Sequence, residues 1–406
     1  MFIDLVMVKI IKNSNNHLGI NNQSVFKPFI DKDLPGVKKL KITTVFVFVS
    51  LIISQLSQAQ MQEYSLKTPK FEVVITPDAG GRVLSLAGTG QNNFLKIGDI
   101  AQEKLLANID ANTGFVPYFG HEVWFGPQSE WWTHQSVNPQ RREMKAMWPP
   151  DPFSVLTKNH IITQSADKIV LSSQTSPVTG LAVEKTFALV ADDPRQLDLI
   201  VKAKNGRNTE VAWDIWFNTR SFPQTRIYAP VDATTEVRTM AWPSAESVPV
   251  NYDIDDNLLS LRLENPPEGK TKLMGKILFQ PTDGWFAAFN KKQLLIVQFP
   301  YLPIEKIHPE QGQLEFYMEY SPNDDKLGVL EMDIHSAYKK LKPGEAMQAR
   351  ERATLIQYSG DESIDAQREF LKEQLKGLKA FRNHASAIAP LSKPLIRLHS
   401  NKILRM

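Results

Sequence analysis

The chain has 406 residues, of which 42% are hydrophobic and 22% charged, with 26 Pro, 20 Gly and no Cys. This balance excludes a disordered or fibrous chain and a fold stapled by disulfides. Residues 1–60 hold seven Lys and three Asp, so the overall charge of +3 falls to about −1 beyond them. No basic stripe with interleaved aromatics remains, and nucleic acid is not an expected partner.

Lys38, Lys39 and Lys41 precede the apolar run Ile42–Ile53, and Ser57-Gln58-Ala59 places small residues where a signal peptidase reads. Residues 37–59 therefore read as a signal peptide, cleaved before Gln60. Val37 is the expected start, which makes 1–36 a mis-assigned extension. A retained membrane anchor is the alternative, but the run falls short of the roughly 20 residues a spanning helix needs. No stable membrane insertion is expected after cleavage. Without Cys the chain cannot carry a bacterial lipid anchor, so the expected address is periplasmic or secreted.

From Phe71 onward, short segments alternate apolar and polar residues. They are Phe71–Thr76, Lys168–Ser173, Leu181–Val190, Gln196–Lys202, Val211–Phe217, Leu258–Leu263, Lys276–Phe279, Trp285–Phe289, Gln293–Phe299, Gln313–Tyr320, Gly328–Ile334 and Arg352–Tyr358. Period-two alternation with β-branched and aromatic residues predicts strands. Val211–Phe217 is apolar on both faces, as in a central strand. No helical crossovers intervene, so the expectation is one all-β antiparallel sandwich over 60–360. The stretch from about 100 to 152 lacks clean alternation and reads as loop-rich and surface-lying. Ile364, Leu371, Leu375 and Leu378 predict a docking helix within 361–382, followed by a disordered basic tail over 383–406. The chain is expected to be a monomer.

Four of the eight tryptophans, Trp124, Trp131, Trp132 and Trp148, lie in that irregular stretch with His121, Glu122, Gln128, Glu130 and Asp151. Indole rings cover the C–H faces of a sugar while polar side chains bond its hydroxyl edges, so the segment suits a carbohydrate ligand. The alternative is that the rings cap the core, since Trp is usually well buried. A histidine can serve as acid or base, which makes His121 a candidate beside its simpler role as a hydrogen-bonding loop residue. His121, Glu122 and His134 lack metal-ligand spacing, and no metal is expected. Arg141, Arg142 and Lys145 could neutralise a uronate, or form an ordinary solvated charge run. No nucleophile elbow and no phosphate-binding glycine loop is present.

Gly80-Gly-Arg-Val-Leu-Ser-Leu86 followed by Gln91-Asn-Asn-Phe-Leu95, Asp214-Ile-Trp-Phe-Asn218, and Gly328-Val-Leu-Glu331 followed by Leu341-Lys-Pro-Gly-Glu345 resemble, in order and spacing, motifs of the aldose 1-epimerases and their galactose-mutarotase-like relatives. The resemblance spans about Phe71 to Tyr358 and implies a mutarotase-like supersandwich from a less-studied branch. It implies Glu331 as the base that removes the anomeric hydroxyl proton. Asp214 stands where the family carries its acid histidine, so the acid is Asp214 or His121. Arg82, Glu122, Trp124, Gln128, Trp131, Trp148 and Trp216 complete the expected sugar-binding set. Three functions are expected in turn: carbohydrate binding, 1-epimerisation without a cofactor, and polysaccharide lysis or an accessory role in polysaccharide processing.

Overall fold

The computed structural model describes residues 60–241, 244–323, 328–378 and Phe381. The expected extension, leader and basic tail lie outside these residues. In chain order the strands begin with β1 (Tyr64–Lys67), β2 (Phe71–Thr76), β3 (Arg82–Gly88), β4 (His121–Gly126), β5 (His160–Gln164), β6 (Lys168–Ser172) and β7 (Leu181–Leu189). They continue as β8 (Gln196–Asn205), β9 (Val211–Ser221), β10 (Arg226–Pro230), β11 (Val237–Ala241), β12 (Ser247–Val248), β13 (Asn251–Asp255) and β14 (Leu258–Arg262). The last are β15 (Lys272–Phe279), β16 (Trp285–Asn290), β17 (Gln293–Gln298), β18 (Leu314–Tyr320), β19 (Val329–His335), β20 (Lys339–Leu341) and β21 (Ala346–Gln357).

They form two sheets. The first runs β1-β2-β3-β4-β9-β19-β18-β15-β11, with β20 paired to β9 and β12 to β15; the second runs β13-β14-β10-β16-β17-β21-β8-β7-β6-β5. Pairing is antiparallel throughout except for β12 on β15. The expected all-β sandwich is the observed fold. Turn chemistry agrees with the hairpins: Asp256 and Asn257, both at positive φ, join β13 to β14 in a two-residue turn.

Side-chain parity builds the core. Val123, Phe125, Ile215, Phe217, Met332 and Ile334 point inward from the first sheet and meet Leu197, Leu199, Leu295 and Val297 of the second. Each such side chain contributes roughly 1.5–3 kcal/mol by leaving water. The opposite face of the second sheet is covered by α4 (Ile364–Gly377), whose Leu371 is buried against Tyr228, Phe289, Ile356 and Tyr358, with Phe370 and Leu375 packed alongside. Ser363 caps this helix, and Arg368 and Lys372 pair with Asp255 and Asp256. Ile364, expected on the docking face, is instead exposed at the first turn. No helix among the described residues is long and apolar enough to cross a membrane.

The stretch from 100 to 152 departs from expectation. It contains β4, inserted between β3 and β9, and all six β4 residues are buried. Its adjacent polar residues His121 and Glu122 point to opposite faces, so the strand shows no alternation. The rest of the stretch holds three short helices with its neighbours, α1 (Asp99–Gln102), α2 (Pro139–Glu143) and α3 (Pro152–Val155), and folds back over the sheet.

Polar groups also cross the core. His121 lies 2.9 Å from Thr219 Oγ1 through Nδ1, and its Nε2 is 3.2 Å from Glu351 Oε1 on β21. Burial and the Lys185 charge hold His121 down at about 3, and burial pushes Glu351 up to about 8. Both are therefore neutral near pH 7. Lys185, lowered to about 7 by burial and Arg82, donates to the carbonyls of Gly80 and Gly81 at 2.6 and 3.2 Å. Both glycines sit at positive φ, and a Cβ on Gly80 would lie 2.2 Å from Val155 O, so this turn requires glycine.

The sign of the pH dependence follows. Between its ordinary value of 4.5 and about 8, folded Glu351 holds a proton that the unfolded chain has lost, so its contribution to stability falls as pH rises. His121 acts oppositely between about 3 and 6.5, as does Lys185 between about 7 and 10.5. Comparing wild type with Glu351→Gln isolates the carboxyl. Its stability advantage over the variant should shrink by on the order of 1 kcal/mol per pH unit across that interval, measured by urea unfolding. A difference independent of pH would show that Glu351 is not held neutral.

Candidate functional site

The outer face of the first sheet collects the polar side chains. Directly opposed residues of an antiparallel pair share a face. On β9, Asp214, Trp216, Asn218 and Arg220 point outward, opposite Gly126, Trp124 and Glu122 of β4. From β19 they face His335, Asp333 and Glu331. Glu315 and Tyr317 of β18 lie opposite Asp333 and Glu331, and Lys276 of β15 lies opposite Tyr317.

An alternating ion chain crosses four strands. Arg82 Nη2 donates to Glu122 Oε2 at 2.7 Å, Glu122 Oε1 accepts from Arg220 Nη1, and Arg220 Nε donates to Glu331 Oε1 at 2.6 Å. Burial alone would raise Glu122, but Arg82 and Arg220 outweigh it and hold the carboxyl below its usual range. For Arg220, burial is outweighed by Glu331 and Glu122, so the guanidinium stays charged. The Glu331 side chain is 13% exposed and Tyr317 is half-buried, marking the accessible edge of this chain.

A second cluster adjoins it. Lys276 Nζ bonds Glu315 Oε2 at 2.5 Å, while His335 stands 3.2 Å from Asp214 Oδ1 and 3.5 Å from Glu315 Oε1. Burial works against the His335 cation, but Glu315 and Asp214 prevail and push it up to about 9. Glu315 is lowered to about 2 because Lys276 and His335 overcome its burial. Asp333 goes the other way. Burial, with the repulsion of Glu331 and Glu315, outweighs Lys276 at 3.9 Å and pushes it up to about 7.

Above these groups lies an aromatic cover. Trp124 packs on Trp216 at 5.0 Å, on Trp131 at 5.4 Å and on Trp148 at 6.1 Å, and Phe115 meets Trp148 at 4.9 Å. Arg220 sits 4.9 Å from the Trp124 ring and Lys276 lies 4.6 Å from that of Trp216. Trp148 is 48% exposed, whereas Trp131 and Trp132 are buried and donate to Phe125 O and Pro149 O.

Several expected site residues have other tasks. His121 occupies the inward face of β4, one residue out of phase with Glu122, and does not share a face with Glu331 or Asp214. Arg82 is fully buried, with its hydrogen bonds taken by Ala79 O, Phe119 O, Val155 O and Glu122. Both Glu122 oxygens are held by arginines, so it positions Arg220. Gln128 donates to Met147 O and pins the loop bearing Trp148. Arg141 donates to the carbonyls of Ala111, Asn112 and Thr113 and stacks over Trp132, and Arg142 reaches Gln135 O. Asp151 caps α3. Glu331, Asp214, Trp124, Trp131, Trp148 and Trp216 do come together. Sequence reasoning missed Asp333, His335, Glu315, Lys276, Arg220 and Gln311. The alternation Glu331-x-Asp333-x-His335 was the available signal. Among the described residues no cluster of His, Asp or Glu is arranged to hold a metal.

The fold is a mostly antiparallel two-sheet sandwich with a polar array on one outer face and a helix on the other. A family model described as a domain of unknown function, DUF4380, matches residues 61–356, and the chain belongs to that family. Among solved structures, a TPR-domain containing protein from Parabacteroides distasonis ATCC 8503 is similar at 17% identity and TM-score 0.47, over 82% of this chain and 50% of that one. A galactose mutarotase related enzyme from Lactobacillus acidophilus is similar at 10% identity and TM-score 0.46, over 75% and 100% of the two chains. A galactose mutarotase-like protein from Lactobacillus casei ATCC 334 is similar at 10% identity and TM-score 0.43, over 73% and 100%. No curated protein matches.

Removing one charge from the ion chain tests its role. Glu122→Gln keeps the volume but leaves Arg82 and Arg220 buried beside a neutral amide. A loss of roughly 3–5 kcal/mol is expected in urea unfolding, because an uncompensated buried charge remains. A loss below about 1 kcal/mol would mean the chain does not hold the sheet together.

Proposed function

We propose that the protein binds a sugar on the outer face of the first sheet, at the edge marked by Glu331 and Trp148. One observation carries this. Six buried polar atoms of that face have no hydrogen-bond partner among the described residues: Asp214 Oδ2, Trp216 Nε1, Asn218 Oδ1, Arg220 Nη2 and both oxygens of Asp333. Leaving one such atom unpaired costs roughly 1–3 kcal/mol. Donors and acceptors are mixed in the set, and a row of hydroxyls matches both. The open indole of Trp148 suits the C–H face of a pyranose.

Charge supports a neutral sugar. Glu122, Asp214, Glu315, Glu331 and Asp333 share the face with Arg82, Arg220, Lys276 and His335. With Asp333 protonated, four carboxylates meet four cations and no spare positive charge remains, and Arg141 and Arg142 are engaged by loop carbonyls, so a lyase acting on uronates lacks its neutralising group. The leader over 37–59 supports export to the periplasm or beyond.

Sugar 1-epimerisation is the second reading, favoured by Glu331 and Asp333 being alternate residues on one strand, about 7 Å apart along it. Glu331 would take the anomeric hydroxyl proton while protonated Asp333 delivers one to the ring oxygen, opening the ring; the reverse steps close it on the other face. Asp333 replaces His121 as the acid. Asp214, where the resemblance puts a histidine, has the His335 imidazole 3.2 Å away, supplied from β19.

Titration with monosaccharides, followed by Trp fluorescence, should show saturable quenching. Trp148→Ala should bind about tenfold more weakly, roughly 1.4 kcal/mol. Absence of any saturable signal would remove the sugar-binding reading. Mutarotation followed by NMR should slow by on the order of 10²–10⁴ in Glu331→Gln. The rate should also fall as pH rises past about 7, where Asp333 loses its proton. Unchanged rates with sugar still bound would leave a binding protein.

A further inference from the structure

A surface cleft of about 910 Å³ opens at the end of the polar face, lined by residues of the link before β11, the link between β15 and β16, and the segment from Tyr301 to Gly312, with Tyr338. That volume lies within the roughly 300–1,000 Å³ of small-molecule sites. Gln311 is the wall it shares with the site already described. Gln311 is 5% exposed, and its side-chain amide lies 2.9 Å from His335 Nδ1. A second amide, Gln280, lies in the cleft wall. Gln280 Nε2 donates to Leu302 O at 2.8 Å and Gln313 Oε1 at 3.0 Å, and its own Oε1 is buried with no partner among the described residues.

The aromatic surface needed beside that acceptor is present. Tyr301 is 47% exposed, and Tyr338 packs edge-on against His308 at 4.8 Å. The charges lining the cleft do not suit an anion. Asp232, Glu236 and Glu305 line it against Lys306, and the Arg238 guanidinium is taken by the carbonyls of Pro309 and Gln311, so carboxylates outnumber the one cation left open.

Position decides what kind of ligand could use both places. Glu331 and His335 are four residues apart on one strand, about 13 Å, and the cleft begins beyond His335 at Gln311. One pyranose ring cannot touch both. The geometry points to a second saccharide subsite in this cleft, taking the continuation of a neutral glycan whose first unit lies at Glu331 and Trp148. It rests on the sugar-binding reading. Tyr301 and Tyr338 stack on the ring faces, and Gln280 accepts from a hydroxyl.

Isothermal titration of the full chain with β-1,4-galactan, β-1,4-xylan and α-1,4-glucan fragments of one to six units tests the subsite. For at least one series, affinity should rise at least tenfold between the single sugar and the trimer or longer chain. Tyr301→Ala/Tyr338→Ala should abolish that gain while leaving the single sugar's affinity within twofold of wild type. Tyr301→Ala alone, at an exposed side chain, should remove part of the gain and serves if the double variant unfolds. Binding of single sugars with no gain for longer chains overturns the second subsite and leaves the sugar reading intact. A gain that persists in Tyr301→Ala and in the double variant overturns it as well. Failure of every saccharide to bind, at any length, overturns both.

Discussion

The first sheet depends on one interaction, the buried alternation Arg82–Glu122–Arg220–Glu331 that runs across β3, β4, β9 and β19. Each of these charges would cost several kcal/mol if left alone in the interior. Joined in order, each guanidinium lies beside a carboxylate, and Glu122 is gripped from both sides. The consequence is geometric as much as energetic. Glu122 can meet both arginines only in the observed register, so the ion chain and the placement of Glu331 at its accessible end are set by the same pairing.

Two kinds of buried polarity therefore coexist one residue apart. His121 and Glu122 are sequence neighbours, but the pleat sends the first into the sandwich and the second to the outer face. Inside, His121 and Glu351 are neutral, because little nearby charge repays their burial. Outside, the carboxylates keep their charge where a cation adjoins, and Asp333, with Lys276 only at 3.9 Å and two carboxylates around it, does not. Burial is nearly complete on both faces. What differs is the supply of opposite charge, and that supply comes from neighbouring strands.

Much of the sandwich was legible in the sequence because one-sided strands alternate. β2, β6, β7, β14, β16 and β18 agree with the expected segments to within a residue or two at each end. β4 was hidden because its polar residues, His121 and Glu122, are adjacent and point to opposite faces, so neither side of the strand is marked as polar. Within the site, Glu331, Asp214 and the tryptophans were found through motif order and composition. Asp333 and His335 were open to the same parity argument that makes β19 a strand. Lys276, Glu315 and Arg220 were not, since they join the site through pairings across 39 and 111 positions of chain. Arg82 and His121 were misjudged for a local reason: composition shows which side chains are polar, and only the strand's phase and its carbonyl neighbours show which way they point and whether they are already occupied.

The parity of β4, β9 and β19 also restricts how the chain can vary in length. Each of these strands turns one side chain in two toward the core and the other toward the charged face. A single residue inserted into β9 would send Arg220 and Asp214 among the aliphatic side chains and bring Phe217 and Ile215 out beneath the tryptophans. Two inserted residues would restore the phase. Strand length in this part of the molecule is thus a quantity that can change only in even steps, while the connections between strands are free to lengthen by any number.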